Sequence, residues 1–91
     1  MEFTHAKIGL LEVKELTQRD VEAFGKSYRE LDRASMTEQN GAVVRAAVKA
    51  GIILSPHLSV EDVDNLKPYV VNWYALNINA AYEEATTIPN G

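Results

Sequence analysis

Cysteine is absent from the 91 residues, so neither a disulfide framework nor a thiolate nucleophile is available. Histidine occurs only as His5 and His57, too far apart for the paired ligand spacing of a structural zinc site. Basic charge is scarce as well: nine Lys and Arg stand against thirteen Asp and Glu, for a net charge of -4. Six of the basic residues fall in positions 1–33, two in 34–66 and one beyond. No basic stripe results of the kind that neutralising a phosphate backbone needs, which argues against a nucleic-acid partner. The five glycines are scattered and form no phosphate-cradling loop. No apolar run approaches the roughly 18 residues of a membrane span, and MEFTH lacks the features of a signal peptide. The expectation is a protein without a membrane partner.

What is present is the composition of one small domain spanning 1–91, with 46% hydrophobic and 24% charged residues and flexible ends at 1–7 and 87–91. A chain of this size buries only about 60 to 65% of its unfolded surface, so a subunit partner adds a large share of stability. From Ile8 to Leu16, Leu11 and Val13 alternate with Glu12 and Lys14, the two-residue period of a strand, with a frayed helix as the alternative. Its edges need covering, by residues 2–7 folding back, by another part of the chain or by another subunit.

Thr17 with Asp20 three residues later starts a first helix, expected to reach Arg33, with Val21, Phe24, Tyr28 and Leu31 on its apolar stripe. Gly25 borders that stripe, either admitting a close helix neighbour or standing as a tolerated helix glycine. Thr37 is the expected N-cap of a second helix, Glu38–Ala50, closed by Gly51 in a left-handed C-terminal turn that tucks Ile52 inward. Its buried face is expected at Val43, Val44, Ala47 and Val48, with Arg45 and Lys49 opposite. Ile53 and Leu54 read as an apolar connection ended by Pro56. Ser59 with Asp62 caps a short helix from Val60 to Leu66, and Pro68 opens a last helix running to Thr86. The fold class expected is mainly α, a small bundle of about four helices with one short N-terminal strand.

The last helix has two apolar faces. Val70, Val71, Tyr74, Ile78, Ala81, Tyr82 and Ala85 share one arc of about 120°, while Trp73, Leu76 and Ala80 form a second stripe, with Tyr69 one turn before it. A surface helix of a small monomer needs only one such face. Tyr69, Trp73, Leu76 and Ala80 are therefore the candidate partner-binding residues, with Trp73 evenly balanced between core and interface.

Chemistry finds no support. Neither histidine joins a nucleophile and an orienting carboxylate, and both are read as solvated. Glu61, Asp62 and Asp64 straddle a helix start and lack the glycine and terminal glutamate of a calcium loop. A helix-turn-helix over 43–66 fails because the connection after Gly51 is too long and the second helix is acidic. No catalytic, cofactor-binding or metal-ligating residue is assigned, and the chain is expected not to be an enzyme.

The runs AVVRAAVKAGIILSPHLSVEDVDNL and LKPYVVNWYALNINAAYEEATTIP resemble the small tail assembly chaperones and related minor morphogenesis proteins of tailed bacteriophages and prophages. VKELTQRDVEAF is similar in style to their N-terminal segments. The likeness is one of pattern and carries no catalytic signature to transfer. It implies a mostly helical protein that binds phage tail proteins, the tape measure protein and the tail tube subunits among them, and keeps them from premature aggregation in the host cytoplasm. The alternatives are a structural phage protein retained in the virion, self-associated through the same stripe, or a small regulator binding a host protein.

Overall fold

In the computed structural model, which describes residues 1–28 and 35–89, the chain doubles back almost at once. Strand β1 (Glu2–His5) and strand β2 (Gly9–Val13) form an antiparallel hairpin, with Gly9 at a φ of 100° where a side chain would be strained. Helix α1 (Gln18–Tyr28) follows, then helix α2 (Met36–Lys49), strand β3 (Ile53–Ser55), the short helix α3 (Val60–Asp64) and helix α4 (Pro68–Thr86). β3 pairs antiparallel with the other side of β2, giving a three-stranded sheet in the order β1-β2-β3.

This corrects the expected mainly α bundle with one strand: the fold is α+β, with a three-stranded antiparallel sheet beside the helices. Two segments account for the difference. Residues 2–5, expected to belong to a flexible end, supply the outer strand, and the apolar connection after Gly51 supplies β3. Both are too short to show a two-residue alternation, and each is held by its neighbour's backbone rather than by its own propensity.

The helix ends follow their capping chemistry. Thr17 and Asp20 bond reciprocally: the Thr17 N–H donates to the Asp20 carboxylate at 2.9 Å and the Asp20 N–H to the Thr17 hydroxyl at 3.4 Å. The expected extension of α1 to Arg33 and the inward placement of Tyr28 and Leu31 lie outside the described residues and side chains. For α2 the cap is Ser35, not Thr37, because the reciprocating Glu38 stands three residues after Ser35. Ser59 and Asp62 close the same box on α3, and Pro68 opens α4.

The end of α2 is a Schellman motif. Gly51 donates to the Val48 carbonyl at 3.1 Å and Ile52 to that of Ala47 at 3.1 Å, with Gly51 at a φ of 71° and Ile52 fully buried. The core lies between sheet and helices: Leu11 and Val13 from β2, Phe24 from α1, Val43, Val44, Ala46 and Ala47 from α2, Val63 from α3, and Val71, Tyr74, Ala75, Ile78 and Ala81 from α4. Val48 is only half-buried and Ala85 is exposed, whereas Ala46 and Ala75, unassigned from the pattern, are buried. Small alanines let α2 and α4 approach, and their amides meet across the contact, Asn40 to Asn72 at 2.9 Å. Arg45 pairs with Asp64 of α3 at the surface, its guanidinium lying over Gly41, where an added Cβ would meet it at 3.1 Å.

Asp20 is the buried charged side chain among the described residues. Its carboxyl is held below the ordinary 3.8 first by the Thr17 backbone N–H, then by the Lys14 ammonium at 3.0 Å. A depressed folded value means stability that is complete above the unfolded value and lost as pH falls through the folded one. Urea midpoints measured from neutral pH into acid should therefore converge for the native chain and Asp20→Asn, the native chain being the more stable only above that window. At the glycines the expected signs oppose. Gly51→Ala should cost about 1–2 kcal/mol from its left-handed backbone. Gly25→Ala, where a Cβ meets nothing within 4 Å, should stabilise by about 0.4–1 kcal/mol, both read as shifts in thermal midpoint.

Candidate functional site

Helix α4 is amphipathic twice over because its inner arc is used up by the core. Val71, Tyr74, Ala75, Ile78 and Ala81 are buried against α2 and the sheet, so residues on the far side face away from the core. Tyr69 is 52% exposed, Leu76 66% exposed, and Ala80 is exposed too. These three stand outside the core on one line of the helix. Trp73 differs: it is half-buried, its ring meeting His5 of β1 edge-on at a centroid distance of 5.6 Å and that of Tyr74 at 5.9 Å. The structure thus joins Tyr69, Leu76 and Ala80 in a surface stripe and makes Trp73 its inner margin, where helix and hairpin touch.

His5, expected to be solvated, is half-buried, with its Nδ1 accepting the Lys7 N–H at 3.0 Å. That role comes from the hairpin, which the pattern of residues 1–7 did not announce. Leu10 and Leu54, exposed on the outer face of the sheet, were not among the candidate residues either. A two-residue period places Leu10 opposite Leu11, so its outward position follows from the strand reading of residues 8–16. On that same outer face Glu2 and Glu12 stand directly across from each other in the β1–β2 register.

Concavities are shallow. One cleft of about 250 Å³ lies between the hairpin and the end of α4, lined by Met1, Lys14, Glu15, Leu16, Ala81, Glu84 and Ala85. A second, of about 450 Å³, runs between α1 and α4 along Val21, Gly25, Lys26 and Tyr82. Gly25 therefore borders an open groove and not a close helix contact. Neither cleft gathers a nucleophile with a base. Among the described residues no three His, Asp or Glu side chains converge as a metal would need, and no helix is long and apolar enough to cross a membrane. Asp62, held below its ordinary 3.8 by the Ser59 backbone N–H and hydroxyl, is a helix cap.

The chain matches no family model, no curated protein and no solved structure. The surface must therefore be read from its own physics. Two apolar faces on one helix make a direct comparison: Ile78→Ala, at a fully buried position, should cost about 2–5 kcal/mol. Leu76→Ala, two residues away, should stay within about 0.5 kcal/mol in the isolated chain. Chemical denaturation of the two variants checks the assignment of the faces.

Proposed function

We propose that this chain is a non-catalytic protein-binding factor of phage tail morphogenesis, an assembly chaperone that engages the tape measure protein or tail tube protein in the host cytoplasm. The observation that supports this reading is the exposed stripe of Tyr69, Leu76 and Ala80, bounded by Trp73, on a helix whose other face already fills the core. An apolar line on a short helix is the complement of an amphipathic client helix, which lays its own apolar residues at intervals of three and four along such a surface. The polar flanks Asn72, Asn79 and Glu83 keep the stripe narrow, and the net charge of -4 keeps the free chain soluble. The three-stranded sheet departs from the mostly helical architecture that the resemblance implies. The reading therefore leans on the stripe and on segments 42–66 and 66–89, not on the overall fold.

A structural component retained in the particle would use the same stripe against identical neighbours. Co-expression with candidate tail proteins separates the readings. The chaperone reading expects tape measure or tail tube protein to co-purify with the native chain and not with Leu76→Asp/Ala80→Asp, both variants keeping their helical circular dichroism. Mass spectrometry of purified particles should then find the chain absent; a fixed copy number in the particle would move the assignment to a structural component.

A further inference from the structure

Two surfaces on the same side of the molecule have no partner among the described residues. The first is the outer edge of β1. The Met1 nitrogen donates to the Val13 carbonyl at 2.7 Å and the Val13 N–H to the Met1 carbonyl at 2.8 Å. In an antiparallel ladder such an exchange recurs at every second pair, here Phe3 with Leu11 and His5 with Gly9. The N–H and C=O groups of Glu2 and Thr4 therefore point away from β2, to an edge that no other strand occupies among the described residues. Such a row is a template for another strand.

The second surface is the α4 stripe, and β1 runs alongside it. His5 lies against Trp73, while Met1 shares a cleft with Ala81 and Ala85, so the strand passes antiparallel to the helix. Four strand steps of about 3.3 Å match about nine helical residues at 1.5 Å. Trp73 and Ala81 mark the side of α4 that faces β1. At 100° per residue, Tyr69, Leu76 and Ala80 lie about a quarter turn beyond it, on the side away from the core. The stripe thus looks out past the open edge of the sheet.

We propose that a second copy of this chain covers both surfaces at once. β1 pairs antiparallel with its equivalent about a two-fold axis at Phe3, so that Glu2 of each copy exchanges both backbone bonds with Thr4 of the other. This register places a hydroxyl, not a second carboxylate, opposite Glu2, and joins two three-stranded sheets into one. Because α4 touches both β1 and β2, the two α4 helices lie about two strand spacings apart, close to 10 Å, the separation at which helices pack. The stripes then meet antiparallel. Charge argues for a copy over a foreign partner. Lys67 at the start of α4 is the sole basic residue of positions 67–91, and Glu83 and Glu84 stand at the helix's negative end with no base in its last turn. Antiparallel pairing brings each positive helix end toward Glu83 of the other copy, which at 100° per residue borders the stripe, whereas Lys67 falls on the opposite side of the helix. The pairing goes beyond client capture and does not depend on it: a client that takes the stripe competes with self-association.

Sedimentation velocity from about 1 to 200 μM tests the proposal, because a reversible dimer populates with protomer concentration. Thr4→Pro removes an outward N–H that makes no bond inside the hairpin, and Leu76→Glu charges the exposed stripe; edge strands tolerate proline. The expected result is a dimer for the native chain, weakened at least about tenfold by each substitution with circular dichroism unchanged. An independent readout uses the absence of cysteine: Phe3→Cys at the two-fold axis should oxidise to a covalent dimer, and Leu10→Cys on the outer sheet face should not. A native chain that stays monomeric throughout, or a dimer that survives both substitutions, overturns the proposal.

Discussion

Everything in this fold passes through the turn at Gly51 and Ile52. The left-handed glycine ends α2, drops Ile52 into the core, and aims the next three residues back along β2. The Ile52 carbonyl then accepts the Lys14 N–H at 2.9 Å, fastening the helical half of the chain to the hairpin half. Without that reversal β3 would not meet β2, and Leu11 and Val13 would lose a wall. One residue's tolerance of positive φ thus determines how two kinds of secondary structure share a single core.

The helices were legible in the sequence because three carry a start signal within a few residues, Thr17 with Asp20, Ser59 with Asp62, and Pro68, and α2 carries a stop signal at Gly51. The misreading of the second start shows the limit, since Ser35 and Thr37 are both good caps and only the reciprocal Glu38 distinguishes them. The sheet was hidden for a different reason. Glu2–His5 and Ile53–Ser55 have almost no periodicity to display, and their strand character comes from pairing with residues far away in the chain. A strand in the middle of the sheet, Gly9–Val13, announced itself through Leu11 and Val13; the strands beside it did not.

The candidate surface was legible to the same degree. Counting apolar positions around α4 exposed an excess that one core could not absorb, and Tyr69, Leu76 and Ala80 lie outside it. The count could not say that Trp73 is sheltered by His5, because that contact requires the hairpin. Nor could it show that the stripe runs beside an open strand edge. The exposed stripe and the open strand edge lie together where helix and hairpin meet.

Glu2 and Glu12 stand across from each other on the outer face of the hairpin, in a position where carboxylates repel, and neither has an ion pair to a basic side chain among the described residues. Dissolved salt weakens that repulsion, with a screening length of about 10 Å at 0.1 M. Ionic strength therefore acts on this protein at the open end of the hairpin, opposite its turn: counter-ions tighten the two strands that shelter Trp73 and present the open edge. For a chain so short of basic residues, the surrounding electrolyte supplies the positive charge that its own sequence leaves out.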